Sequence, residues 1–287
     1  MPGPRTTDTY EETSVKVAYS ALLEVAASLQ AYSDSIVLIG GWVPFLLLRQ
    51  HQPEGNPFRH IGSIDSDWVI DPGKVSSREY ETIVRALKKR GFVEDPEIRF
   101  RLVKKTPVPG MDEPLDVAVD FLTEAPPKGS GAGKRHRKLH VDLEARTLEA
   151  AGLALSHSSR VALEGVLLGG GRLKLDIRMA DVVGSIGTKG FALGRRYEEK
   201  DNYDLYAVIA NYGQGPTEVA GIVRPFLGEA LLDASLRKVR EWFETVSGAG
   251  PVAVGNFYVN ETGSARERRI RDAFEVLNRF LLELGKT

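Results

Sequence analysis

The sequence predicts a mixed α/β (α+β) fold over residues 1–177, a mixed sheet backed by helices, followed by a helical C-terminal domain over 178–287. Three observations predict it. Several short segments of the first part alternate apolar and polar residues with period two, and helical periodicities are interleaved with them. From about residue 178 the pattern is helical throughout. With 287 residues, 42% of them hydrophobic, the chain exceeds the commonest size of one domain and has ample material for a core.

The elements follow in order. Residues 11–31 carry Val15, Ala18, Leu22, Val25, Ala26 and Leu29 at roughly helical spacing, a leading helix. Residues 35–39 (SIVLI) are short and β-branched and run into Gly40-Gly41, which reads as a buried strand, a tight turn and then the helix WVPFLLLRQ, with Pro44 tolerated in its first turn. Residues 52–60 are a loop by composition, and the stretch RHIGSIDSDWVID is a strand with Ile64, Trp68 and Ile70 on one face and Asp65, Asp67 and Asp71 on the other. Residues 76–90 have a serine cap, early glutamates, late cations and Gly91 as the stop, so they form a helix. EIRFRLVKK and PLDVAVDFL are strands joined by TPVPGMDE, and the alternation places Arg99 and Arg101 on one face. Residues 126–138 (PPKGSGAGKRHRK) read as a flexible basic loop, and RVALEGVLL and RLKLDI flank Gly169–Gly171 as a hairpin. The last helix shows Ile270, Phe274, Leu277, Leu281 and Leu284 as one apolar stripe.

Composition narrows the function classes. With no cysteine, disulfides, thiolate metal sites and cysteine nucleophiles are excluded. A net charge of -1 gives no global signature of a nucleic-acid partner, although Lys134, Arg135, Arg137 and Lys138 could grip an RNA backbone locally. The N-terminus lacks the basic start and apolar run of a secretory signal, and SIVLIGGWVPFLLL is too short for a spanning helix. A soluble, cytoplasmic protein without membrane contact is expected.

Asp65 and Asp67, two apart on one strand, lie roughly 6–7 Å apart at Cα, near enough to share a cation. Asp120 reaches the same place only if its strand is a neighbour in the sheet. Left empty, such a triad repels itself: at ~4 Å and an effective dielectric near 20 each pair costs about 4 kcal/mol. The all-oxygen set suits a hard cation such as Mg²⁺ or Mn²⁺. Gly40-Gly41, ahead of a helix, offers backbone N–H groups to phosphates, and Ser63 offers a hydroxyl. Singly, each feature has a plainer reading: a solvated strand edge for Asp65 and Asp67, an ordinary turn for the glycines, a surface residue beside Asp116 for Asp120. Lys189 stands on a helix rich in glycine (Gly184, Gly187, Gly190, Gly194), which something must approach closely, either a neighbouring helix or a nucleotide. Arg195, Arg196 and Lys200 read as a basic rim or as ordinary solvated residues, and Asp204 as a group that orients Lys189 or pairs with an arginine.

At IVLIGGW, at Ser63, Asp65 and Asp67, and at the block ADVVGSIGTKGFALGRRYEEKDNYDLYAVI, the sequence resembles the polymerase-β-like nucleotidyltransferase superfamily, and within it the AbiEii-type nucleotidyltransferase toxins of type IV toxin–antitoxin systems. The resemblance spans roughly residues 36–211, with Lys189 matching the motif lysine, Lys200-Asp201 the K-D pair and Asp204 the aspartate of Y-D-L-Y. It implies Mg²⁺-dependent transfer of an NMP from an NTP, with Asp65, Asp67 and Asp120 as metal ligands and catalytic carboxylates. Lys189 and Asp204 would be catalytic, and Gly40, Gly41, Ser63, Lys189, Arg196 and Lys200 would hold the nucleotide in a cleft closed by the second domain. It also implies a tRNA 3′ end as acceptor and a cognate antitoxin as partner. A small-molecule nucleotidyltransferase of the antibiotic-modifying kind, or a non-catalytic nucleotide-binding module, would share the scaffold.

Overall fold

The computed structural model describes residues 5–71, 73–75, 77–124, 136–138, 144–193 and 198–286. In chain order its elements begin α1 (Glu12–Leu29), β1 (Ile36–Ile39), α2 (Trp42–His51), β2 (Ser66–Ile70), α3 (Ser77–Lys88), β3 (Val93–Glu94), β4 (Arg101–Thr106) and β5 (Leu115–Glu124). There follow β6 (His136–Lys138), β7 (Glu144–Leu148), α4 (Ala151–Ser156), β8 (Ser158–Val166), β9 (Arg172–Ala180) and α5 (Val182–Ala192). The chain continues with α6 (Glu199–Asn211), α7 (Pro216–Val223), α8 (Ala230–Trp242), α9 (Ala249–Phe257) and α10 (Gly263–Leu284).

Two compact units result. A sheet unit comprises Glu12–Ile39 and Ser63–Ala180, and a helical unit comprises the described residues of Met1–Glu11, Gly40–Gly62 and Asp181–Thr287. The sequence predicts one cut at residue 177; β9 instead runs on to Ala180, and the Gly40–Gly62 excursion with α2 belongs to the helical unit.

In the sheet unit the strand order is β3-β4-β5-β2-β1-β9-β8, with β7 pairing β5 and β6 off this path. The sheet is mixed: β1/β2, β4/β5 and β8/β9 are antiparallel, while β1/β9, β2/β5 and β5/β7 are parallel. Trp68, Val69, Ile70, Leu102, Val119 and Phe121 form its buried centre. In the apolar stripe of α1, Ala18, Leu22, Val25, Ala26 and Leu29 are buried as helical spacing requires, while Val15 is half-buried. Its approach to β8 depends on Gly165, where a Cβ would stand 2.8 Å from Leu23 Cδ1 and 3.2 Å from Tyr19 Cε1. Lys104 on β4 donates to Glu24 of α1 at 2.9 Å, so a buried carboxylate is paired.

Three expectations change. β4 begins at Arg101, so Arg99 lies in the turn ahead of the strand instead of sharing a strand face with Arg101. The end of the expected basic loop is strand β6, paired with β7, and residues 125–135 lie outside the described residues. β3, β7 and α4 had no periodic signal long enough to find.

In the helical unit, Asp181 caps α5 by accepting the Gly184 N–H at 3.0 Å, and Pro216 opens α7 where its missing N–H costs nothing. The glycine richness of α5 has a packing cause. A Cβ on Gly190 would lie 2.1 Å from Ser235 Oγ and 2.9 Å from Val239 Cγ2 of α8, and Ser235 donates its hydroxyl to the Gly187 carbonyl at 2.8 Å. Leu277, Leu281 and Leu284 of the α10 stripe are buried, while Ile270 and Phe274 are half-buried. Helix α6 is buried on every side from Glu199 to Ile209, which obliges its charged residues to find partners.

Candidate active site

The candidate residues fall into two groups, one in each unit. In the sheet unit, register alone aligns the first. β2 and β5 pair in parallel with Asp67 opposite Asp120, and β4 and β5 pair with Arg101 opposite Asp120. Residues opposite one another in a pleated sheet project from the same face, so Arg101, Asp120 and Asp67 form one row across three strands. Asp65 stands just ahead of β2, not within it, and its Oδ1 accepts the Ala118 N–H at 3.2 Å. Ser63, buried, donates its hydroxyl to the Asp65 carbonyl at 3.2 Å and shapes the approach to the strand.

Arg101 is the residue the sequence reading did not place here. Its Nε donates to Asp120 Oδ1 at 2.7 Å and its Nη2 to Oδ2 at 2.8 Å, the two-pronged geometry that a guanidinium makes with a carboxylate. The alternation in the sequence gives Arg101 only a face shared with Arg99. Burial pushes the Asp120 carboxyl above the ordinary carboxylate range, while the Arg101 charge pulls the other way. Arg101 in turn is held above its ordinary value by its bond to Asp120, with the charges of Asp65 and Asp67 contributing.

Among the described residues, no three His, Asp or Glu side chains are gathered as a metal-holding group. Both oxygens of Asp120 already serve Arg101. Asp65 and Asp67, half-buried and offering only oxygen, fit a hard cation that takes one or two protein carboxylates and completes its shell with water or phosphate. As the side chains stand, the expected three-carboxylate set is therefore two carboxylates plus an ion pair.

The second group lies in the helical unit. Lys189, in the last turn of α5, donates to Asp201 Oδ1 at 2.8 Å and to Asp204 Oδ2 at 2.6 Å. Lys200 donates to Asp204 Oδ1, its ammonium 5.3 Å from the ring centres of both Tyr10 and Tyr203. His60 adds Nε2 to Asp204 Oδ1 at 3.0 Å. Its Nδ1 accepts the Gly62 N–H at 3.0 Å, which fixes the ring proton on Nε2, pointing at Asp204. Asp204 is fully buried, and Lys189, Lys200, Asp201 and His60 are all under one tenth exposed.

The charges balance as two ammoniums against two carboxylates around a neutral imidazole. Burial drives the His60 pKa down to about 4 and that of Lys200 to about 8. Burial alone would raise Asp204, but the neighbouring Lys189 and Lys200 charges outweigh it and hold the carboxyl far below its usual range. Burial likewise acts against the charge on Lys189, and Asp201 and Asp204 overcome it, leaving the ammonium more firmly protonated than usual.

Lys200 is thus not a solvated rim residue, as a helical charge suggests at first reading, but part of a buried ion network. His60 and Asp201 complete that network and were not assigned to a site from sequence; the i, i+3 spacing of Asp201 and Asp204 on one helix was the available signal. Gly40 takes φ 77°, a left-handed conformation, whereas Gly41 is an ordinary helical residue at φ -69° ahead of α2. Arg195 and Arg196 lie outside the described residues.

No protein-family model matches the chain, and no curated protein matches it. Among solved structures it is similar to an antigenic nucleotidyltransferase-like protein from Paracoccidioides brasiliensis, at 17% identity and a TM-score of 0.41, over 86% of this chain and 94% of that one. It is also similar to JHP933 from Helicobacter pylori, at 13% identity and a TM-score of 0.43, over 96% of this chain and 94% of that one. Among the described residues no helix is long and apolar enough to cross a membrane.

Proposed function

We propose that the protein is a nucleotidyltransferase that moves an NMP from an NTP to an acceptor hydroxyl and releases pyrophosphate. The observation that carries this reading is the in-register placement of Asp67 opposite Asp120, with Asp65 two residues upstream. A divalent cation such as Mg²⁺ or Mn²⁺, held by Asp65 and Asp67, supplies neutralising charge to the phosphates. The chain's own groups do the rest. The acceptor oxygen forms a bond to the α-phosphorus as the bond to pyrophosphate breaks, and the acceptor proton passes to a carboxylate oxygen of Asp120. Burial favours proton uptake by Asp120, and accepting the proton requires Arg101 to release one of its two oxygens.

The finer proposal is that the acceptor is a tRNA 3′ end and that the protein acts in the cytoplasm as the toxin of a toxin–antitoxin pair. Support for it is the motif resemblance at Ser63, Asp65, Asp67, Lys189, Lys200-Asp201 and Asp204. Gly40, Gly41 and Lys189 are assigned to the nucleotide on the same ground, with Asp204 holding Lys189, and Arg196 is assigned to it as a basic residue of the same block.

Incubation with each α-³²P NTP, Mg²⁺ and either total RNA or small acceptors tests the reading, beside an Asp65→Ala control. Labelled tRNA that disappears in the control is the expected result. Equal label with and without Asp65 refutes the catalytic assignment. Label on a small acceptor but not on RNA replaces the acceptor class. A second reading, a module that binds nucleotide without transferring it, is favoured by one observation, the double engagement of Asp120 by Arg101. Calorimetric binding of an NTP without any label transfer selects it.

A further inference from the structure

We infer that Arg101 is the resident cation of the carboxylate row, occupying Asp120 in place of a metal ion and limiting the ligand-free row to one divalent cation. The inference rests on the reading of Asp65 and Asp67 as cation ligands.

Three observations carry it. The position of Arg101 is set by the fold and not by a chance rotamer: β4 and β5 stay in register from Arg101↔Asp120 to Thr106↔Leu115, which delivers the guanidinium to the same sheet face as Asp120 and Asp67. Its engagement with Asp120 is complete, since the two donors at 2.7 and 2.8 Å take one oxygen each. It is also sheltered, with side-chain exposure of 24% for Arg101 and 11% for Asp120, so water competes weakly for the pair. The ion pair then sets the capacity, leaving Asp65 and Asp67 as the carboxylates that one divalent cation can engage. A second such ion at Asp120 must first displace a guanidinium that never deprotonates. Arg101 acts through Asp120 and is a positioning residue.

The test is a Mn²⁺ titration of the full-length chain without nucleotide, with bound and free ion read by electron paramagnetic resonance. Wild type takes one Mn²⁺ per chain. Arg101→Gln, which frees both Asp120 oxygens, takes two, and Arg101→Gln/Asp120→Asn returns to one. Circular dichroism checks that each variant is folded. Two ions on wild type overturn the inference whatever the variants do, as does one ion on both wild type and a folded Arg101→Gln. Two ions on wild type together with RNA labelling by the same preparation sink only the role of Arg101. One ion on wild type and two on Arg101→Gln, with no labelling by wild type, sink only the transfer reaction.

Discussion

Asp204→Asn removes one charge from the helical unit without changing side-chain volume. In the wild type, Asp204 accepts from Lys189 at 2.6 Å, from Lys200, and from His60 at 3.0 Å, with no solvent exposure of its own. The amide leaves two buried ammoniums against Asp201 alone, and Asp201 pairs with Lys189 at 2.8 Å, so Lys200 loses its carboxylate. Breaking a buried pair from one side costs about 3–5 kcal/mol, because the surviving charge stays desolvated. At roughly 2–4 °C per kcal/mol for a domain of this size, the midpoint falls by about 6–20 °C. Urea unfolding followed by tryptophan fluorescence reads the loss, since Trp42 and Trp242 lie in the helical unit and Trp68 in the sheet unit. The double variant Asp204→Asn/Lys200→Met restores neutrality and recovers at least about 2 kcal/mol of the loss. A loss under about 1 kcal/mol for the single variant, or simple additivity in the double, refutes the account of a charge-balanced network.

The remaining predictions follow from the same geometry. His60 has a folded pKa near 4 against an unfolded 6.5, so the unfolded chain binds more protons between those values. Stability therefore falls as pH drops from about 6.5 to about 4, by about 3 kcal/mol, and His60→Gln flattens that limb of a urea midpoint-versus-pH curve. Lys200, near 8 folded and 10.5 unfolded, makes stability rise with pH between those values, and Lys200→Met removes the rise. Gly40→Ala, at φ 77°, costs about 1–2 kcal/mol of stability in thermal melts, whereas Gly41→Ala, at φ -69°, leaves the melting temperature unchanged. Gly190→Ala forces a methyl to 2.1 Å from Ser235 Oγ and 3.1 Å from the Ser235 carbonyl, costing about 1–3 kcal/mol in thermal melts, of which Ser235→Ala recovers only part.

What the sequence disclosed was local. The strand, Gly-Gly turn and helix of residues 36–51 are legible because β-branched residues, a left-handed glycine and an early proline each specify the backbone within a few residues. β5 is legible because Leu115, Val117, Val119 and Phe121 alternate with Asp116, Ala118 and Asp120, and the same alternation puts Asp120 on the face that Asp67 shares once β2 and β5 pair. Segments of two to six residues such as β3, β6 and α4 carry no such period. Nor does a helix announce full burial when it carries Lys200, Asp201 and Asp204, because partners supplied by α5 and by His60, 144 positions from Asp204, have no trace in the local pattern.

The pairing of Arg101 with Asp120 is the most informative omission. Each strand was readable, and so was the loop between them, but the partner of Asp120 depends on where the hairpin folds. The observed register pairs 106 with 115 and 101 with 120. A slip of one residue would place Arg101 opposite Val119 or Phe121 and turn its guanidinium to the other face relative to Asp120. Whether the carboxylate row carries its own cation is therefore decided by the turn at residues 107–114. A one-residue deletion there is the perturbation that would separate Arg101 from Asp120 without altering either side chain.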